Sequence, residues 1–399
     1  MPELDASVKN VVNETIAPMG RSKIREFAEK FAKIPGLIKL TLGEPNFNVP
    51  EHIKAAAIES ITENESHYSD QKGFLSLRKA ISDYLNKQFD LQYDPESEVI
   101  VTIGATEAIF DSLAAIINPG DKVIIPTPTF ALYIPIVKIL GGIPVQVDTT
   151  ADGFRLTGEH LEQVIQAQGP DSVKALMLNF PGNPTGFVYS ESDLQEIVDV
   201  VKDKNMFVIS DEIYAELTYG HKHLSLAKLM PGKTVLINGL SKSHAMTGYR
   251  IGYIAAPKDF VEQANKMHAF TVTAPSNPAQ FAAEEALANG IDDPIEMRDI
   301  YQQRRDYLVE QLNDLGYETP MPEGAFYTFS KIPEKYHLTS VEFANKLAEE
   351  GLVGVTPGVA FGEGGEGHFR ISYAASMKDI QEAMKRLRVF TESLLETVE

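Results

Sequence analysis

The chain has 399 residues, 36 Lys and Arg against 56 Asp and Glu, a formal net charge of −20, and neither Cys nor Trp. Without cysteine there are no disulfides, thiolate nucleophiles, Cys-ligated zinc or Cys-held iron–sulfur clusters. The acid surplus argues against binding a nucleic-acid backbone, which relies on Lys and Arg patches. The length suits two or three domains at ~150 residues each. The start, MPELDASVKNVVNETIAP, has no basic segment leading into an apolar run. No apolar stretch approaches the ~20 residues that span a bilayer. A soluble cytoplasmic protein with no nucleic-acid or membrane partner is expected.

In chain order, an early helix is expected over Glu26–Ile34, packed on the C-terminal part of the chain. Strand-length apolar runs then alternate with helix-period segments. The runs are Val99–Ile103, Val123–Ile125, Ala175–Leu178, Phe207–Ile209 and Thr234–Ile237; the helical segments include Ala105–Ile117, Phe130–Leu140 and Ser190–Lys202. Ser190 with Asp193 three residues on gives the last of these a capping-box start. Continuous apolar strands between helices point to a mainly parallel α/β sheet covered on both faces. Beyond Pro278 the pattern changes to a smaller α+β unit. Helices are expected at Ala279–Ala288, Ile295–Leu315, Ser340–Glu350 and Ser376–Thr391, and strands at Gly324–Phe329 and Phe369–Tyr373.

Gly362, Gly364 and Gly367 match a dinucleotide fingerprint, but that motif needs a strand before it and a helix after it. Here a strand, His368–Ser372, follows, so a surface loop is expected. The histidines show no metal-ligand spacing, and no metal is expected.

Four strand ends carry unusual residues, and ligands of doubly wound sheets bind beyond such ends. After Val99–Ile103, Gly104-Ala105-Thr106 opens a helix, a setting that suits phosphate. LNFPGNPTG (178–186) presents Asn179 and Asn183 on a loop stiffened by Pro and Gly. FVISDEIY (207–214) ends an apolar strand on Asp211, where burial demands a cationic or hydrogen-bonding partner. In LINGLSKSHAMTGYRIGY (236–253), Lys242 follows a strand directly. Apolar surroundings disfavour its ammonium form and make the amine a Schiff-base nucleophile. Arg250 adds a fork for phosphate. A phosphate nest, a buried acid, a poised lysine and an arginine fork together describe a pyridoxal 5'-phosphate site.

With NPTG, DE-x-Y, SK-x₅-G-x-R-x-GY and FRISYA in this order, the sequence resembles the class I/II aminotransferases of the fold type I pyridoxal-phosphate enzymes. LTLGEPNF and NGLSKSHAMTGYRIGY are similar to the aromatic-type enzymes of Gram-positive bacteria. The resemblance implies a seven-stranded, mainly parallel sheet sandwiched by helices in a large domain, 46–285. It also implies an N-terminal arm and small-domain segment, 1–45, and a small α+β domain, 286–399.

By motif position, Lys242 would hold the cofactor as a Schiff base and later carry the proton, while Asp211 would keep the pyridine nitrogen protonated. Asn183 and Tyr214 would bond the phenolic oxygen, and Phe130 would stack on the ring, where many relatives have Tyr. Gly104, Ala105, Thr106, Ser241 and Arg250 would cradle the phosphate. Tyr68, in HYSDQKG, would reach the neighbouring subunit's phosphate, which implies a homodimer with shared active sites. Arg370 would clamp the substrate carboxylate, aided by Gly43 and Asn183.

The implied reaction is ping-pong transfer of an amino group from an L-amino acid to a 2-oxo acid such as 2-oxoglutarate. Aromatic donors are favoured, with Ile16, Ile24, Phe130, Tyr327 and Phe361 as apolar lining. Aspartate or N-acetyl-diaminopimelate stays open, because Arg21, Arg25, Arg78, Arg155 and Arg298 are candidates for a distal cation. A β-lyase shares the same cofactor residues. A regulator built on this domain would carry a preceding helix-turn-helix, which is not expected here.

Overall fold

The computed structural model describes residues 2–8 and 11–398. After a short strand β1 (Ile38–Lys39), the five apolar runs become β2 (Val99–Ile103), β3 (Lys122–Thr127), β5 (Val173–Asn179), β6 (Phe207–Asp211) and β7 (Thr234–Gly239), and two strands the runs did not indicate, β4 (Ile143–Asp148) and β8 (Ile251–Ala255), join them. These seven form one sheet in the order β2-β8-β7-β6-β5-β3-β4. The strand β8 is antiparallel to both neighbours, and the other pairs are parallel. Because β8 alone reverses, β2 points the same way as the remaining strands. The carboxyl ends of β2, β3, β5, β6 and β7 therefore open on one edge, together with the amino end of β8.

Side-chain alternation splits the strand residues between the two faces. Ile124, Leu176 and Val208 pack with Leu161, Leu194 and Ile197 on one face. Val123, Met177, Ile209 and Val235 pack with Ile109, Phe260 and Val261 on the other. Both faces are covered by helices, and β7 and β8 are buried at every position. The Ser190–Asp193 capping box forms as expected, with Ser190 N–H donating to Asp193 Oδ2 at 2.8 Å.

The second unit is built on β9 (Tyr327–Lys331), β11 (Thr356–Pro357) and β12 (His368–Ser372), an antiparallel sheet ordered β11-β12-β9. Here β10 (Val353–Gly354) pairs with β1, which fastens the early chain to this unit. Helices Asp293–Asp314, Ser340–Glu350 and Met377–Val398 close its core around Tyr301, Leu308, Phe343, Leu347 and Leu387. Tyr214, Leu217 and Tyr219, from the loop after β6, enter the same core and join the two units.

Several boundaries differ from expectation. The early helix is Lys23–Phe31, and the helix expected from Phe130 starts at Tyr133. The strand expected from Gly324 begins only at Tyr327, because Ala325 takes a left-handed φ of 58° and Gly324 bridges Thr218 instead. The Gly362–Gly367 loop precedes β12 and lies against β3 and β4, where a Cβ on Gly364 would come within 2.3 Å of Asp148 Oδ1.

Candidate active site

A cavity of about 940 Å³ lies between the carboxyl edge of the large sheet and the second unit. It collects Gly43, Ala105, Thr106, Phe130, Asn183, Asp211, Tyr214, Ser241, Lys242, Arg250 and Arg370, which are dispersed over most of the sequence. Topology explains the convergence. The chain leaves β2 at Gly104, β6 at Asp211 and β7 just before Lys242, and enters β8 just after Arg250.

Lys242 sits in the single helical turn Leu240–Ser243 after β7, and its Nζ donates to the Gly43 carbonyl at 2.6 Å. Burial lowers its pKa to about 8; Arg370 and Arg250 push the same way, against Glu44 and Asp211. About a tenth of this amine is then unprotonated at pH 7, far more than of an ordinary lysine, as a nucleophile requires.

Asp211 ends β6 and is buried. Burial raises its pKa to about 6, while hydrogen bonds from the Tyr133 hydroxyl and the Ile213 N–H hold it down. Those bonds are 2.6 Å and 3.2 Å long. Its neighbour Glu212 is taken up elsewhere, accepting from Ser210 Oγ and Ser225 Oγ and facing His223 at 2.7 Å. Asp211 is thus the acid left facing the cavity.

Arg370 is buried on β12 and held from two sides: Nη1 donates to Asn183 Oδ1 at 2.8 Å and Nη2 to the Thr41 carbonyl at 2.6 Å. Its guanidinium lies 4.3 Å from the Tyr327 ring centre, and its Nε has no partner among the described residues. A buried cation of this kind needs an anion. The Tyr214 and Tyr327 hydroxyls are 2.7 Å apart. Gly43 lies so close that a Cβ there would stand 1.9 Å from Tyr327 Oη.

At the start of the helix Gly104–Ala114, Gly104 has a φ of 72°, and a Cβ would stand 2.5 Å from Arg250 Nη2. Arg250 is itself left-handed, with its Nη1 donating to the Thr247 carbonyl at 3.1 Å. The unpaired N–H groups of that first helical turn and the adjacent guanidinium suit a phosphate. The donor set as a whole fits a phosphate-bearing aldehyde with a basic ring nitrogen. Fold and site together define a pyridoxal-phosphate enzyme.

Comparison with known proteins identifies the family. The family model described as Aminotransferase class I and II matches residues 35–387, and the chain belongs to that family. A Bacillus subtilis (strain 168) protein named "Probable N-acetyl-LL-diaminopimelate aminotransferase" is 42% identical over 383 residues, covering 96% of each chain. An aspartate aminotransferase of Pyrococcus abyssi is 40% identical, covering 92% of this chain and 94% of its own. The crystal structure of an aromatic aminotransferase from Pyrococcus horikoshii OT3 matches with a TM-score of 0.87 and 38% identity, covering 94% of this chain and all of that one. The protein is an aminotransferase that uses pyridoxal 5'-phosphate and moves an amino group from an amino acid to a 2-oxo acid. Among the described residues no helix is long and apolar enough to cross a membrane.

Some expected residues fall outside the cavity. Tyr68, expected to serve the neighbouring subunit rather than its own, is 93% exposed and does not line this cavity. Ile16 is exposed, and Phe361 is buried in a separate cluster with Phe329 and Ala360, so neither lines the cavity as expected. Of the five arginines considered for a distal cation, Arg25 lines the cavity. The others are engaged elsewhere: Arg21 with Glu29, Arg78 with the Pro95 carbonyl, Arg155 with Glu323 and Arg298 with Asp299. The sequence reading missed Tyr133, whose neighbours read as an ordinary apolar helix. It also missed Thr41, which contributes a backbone carbonyl that no side-chain pattern reveals.

Proposed function

We propose that the residues gathered here divide the transamination as follows. Asp211 holds the proton on the cofactor's ring nitrogen; Asn183 and Tyr214 bond its phenolic oxygen, and Phe130 stacks on the ring. The N–H groups of Gly104, Ala105 and Thr106, with Ser241 and Arg250, hold the phosphate. Arg370 binds the substrate α-carboxylate, with Gly43 and Asn183 beside it. Pyridoxal phosphate supplies an electron sink when bound. Lys242 Nζ would take the substrate α-proton and deliver it onward in each half of a ping-pong cycle. The observation that carries this reading is geometric: Lys242, Asp211, Arg250 and Arg370 line one cavity, with Lys242 Nζ donating to the Gly43 carbonyl at 2.6 Å. A Lys242→Ala protein that still turned over repeatedly would sink it.

For the amino donor the reading is an aromatic L-amino acid, supported by the apolar surfaces of Ile24, Ala28, Leu42, Ala131 and Leu132 in the same cavity as Arg370. A second reading has its own observation: Arg25 and Lys39 line that cavity and form no ion pair among the described residues, which suits a distal carboxylate. Aspartate or N-acetyl-diaminopimelate would then be the donor. The test is a half-reaction screen that follows the cofactor absorbance with each amino acid in turn. Fastest conversion by phenylalanine or tyrosine supports the first reading; a large preference for aspartate or N-acetyl-diaminopimelate overturns it.

The exposed Tyr68 supports a homodimer in which each subunit completes its neighbour's phosphate site. The proposed compartment is the cytoplasm. A large domain of 46–285 is supported by the helix Asn277–Asn289, which packs on Glu51–Thr62 and Leu75–Phe89. The segments 1–45 and 286–399 complete the small domain.

A further inference from the structure

A group of charged side chains lies outside the cavity, behind the helix Gly104–Ala114. Glu107 and Asp111, one turn apart on that helix, face His268 of the helix Lys258–Thr271. The distances are 3.0 Å from His268 Nδ1 to Glu107 Oε1 and 3.6 Å to Asp111 Oδ2. The His268 and Asp111 side chains are fully buried. On its other side, His268 Nε2 lies 2.7 Å from the Gln71 carbonyl.

Both ring nitrogens thus face acceptors. This favours the doubly protonated ring: burial lowers the His268 pKa, but the bonds to Asp111, Glu107 and the Gln71 carbonyl outweigh it and raise it to about 9. Glu107 is also engaged at its second oxygen, which accepts the N–H of Ile103, the residue just before Gly104. The acid is therefore pinned in the first turns of the helix whose leading N–H groups face the proposed phosphate. A bare carboxylate there opposes the binding of a phosphate dianion, and it cannot turn away without uncapping Ile103.

We propose that His268 is a positioning residue of the phosphate cradle, offsetting the carboxylates of Glu107 and Asp111 and fixing the Glu107 side chain against the Ile103 N–H. Through Gln71 it also ties the cradle to the segment bearing Tyr68, three residues earlier. Asn277 and Gln280 hold the same segment, by bonds to the His67 carbonyl at 2.7 Å and to Ser69 Oγ at 3.1 Å. The inference rests on the phosphate placement proposed above.

The test uses the full-length protein freed of cofactor, titrated with pyridoxal phosphate and, separately, with pyridoxal, which lacks the phosphate. His268→Gln is expected to weaken pyridoxal phosphate about tenfold and leave pyridoxal unchanged. Removing the acid as well, in Glu107→Gln/His268→Gln, is expected to restore most of the loss. Equal weakening of both ligands, or a double variant no better than the single, overturns the inference. Should His268→Gln not fold, Glu107→Gln decides: it is expected not to weaken pyridoxal phosphate, and a loss matching that of Arg250→Gln overturns the proposal. Arg250→Gln also separates the two readings. If it leaves pyridoxal phosphate affinity unchanged, the cradle itself is misplaced. If it weakens binding while His268→Gln does not, the inference alone falls.

Discussion

The Tyr133 hydroxyl donates to Asp211 Oδ2 at 2.6 Å, with both side chains buried. It is the strongest influence opposing the rise in the Asp211 pKa that burial causes. A short bond to an ionised acceptor is worth roughly 1.5–3 kcal/mol. Tyr133→Phe is therefore expected to raise the Asp211 pKa further and reduce kcat about tenfold. The apolar packing of the ring with Phe130 and Ile136 would be kept. Steady-state kinetics over pH 6–9 checks this; a kcat and pH profile indistinguishable from the parent protein would show that the hydroxyl has no such role.

That relationship also marks how far the sequence could be read. The alternation of apolar runs such as Val99–Ile103 and Phe207–Ile209 with helical segments was enough to expect the large sheet, because burial on both faces leaves a compositional trace. Asp211 and Lys242 stood out because charged residues directly at the ends of such runs are costly without partners, and Arg250 because it offers a phosphate fork eight residues after Lys242. Tyr133 did not, since an aromatic in an apolar helix is the ordinary case. Nor did Thr41, whose contribution is a main-chain carbonyl. Phe361 and Ile16 were assigned to the cavity by residue type, and packing took them elsewhere. Tyr327 was expected as apolar lining, and its hydroxyl contact with Tyr214 depends on a loop geometry set by Ala325 at a φ of 58°.

Arg370 is oriented by Asn183 Oδ1 and the Thr41 carbonyl, so its planar fork is fixed before any ligand arrives. A lysine keeps the charge and loses the fork. Arg370→Lys is expected to raise KM for both the amino acid and the 2-oxo acid by about a hundredfold, with a smaller effect on cofactor affinity. Measuring KM for both substrates and the dissociation constant for pyridoxal phosphate checks it. A KM change confined to one substrate would contradict a shared carboxylate site.

Gly43 carries two duties that leave no room for a side chain. Its carbonyl accepts from Lys242 Nζ, and the space a Cβ would take is filled by the Tyr327 ring and hydroxyl. Gly43→Ala would place a methyl 1.9 Å from Tyr327 Oη, so one of the two must move. Overpacking of this kind costs about 1–3 kcal/mol, and thermal unfolding of the cofactor-free protein should show it. Tyr327→Phe in the same chain removes the oxygen that the methyl meets and is expected to recover part of the loss. If the double variant is less stable by the sum of the two single effects, the contact is not the cause.

The Lys242 pKa is about 8, below the ordinary lysine value of 10.5. Burial is the main cause, so the neutral amine prevails above about pH 8. Capture of pyridoxal phosphate by the cofactor-free protein is expected to quicken about tenfold per pH unit below that point and to level off above it. Between about pH 8 and 10.5 the unfolded chain binds more protons at this group than the native one does. Its contribution to stability therefore rises with pH across that window. Glu44 raises the Lys242 pKa, so Glu44→Gln should move the capture midpoint to lower pH. Stopped-flow absorbance across pH 6–10 checks both statements. A midpoint near the ordinary lysine value would mean that burial does not activate the amine.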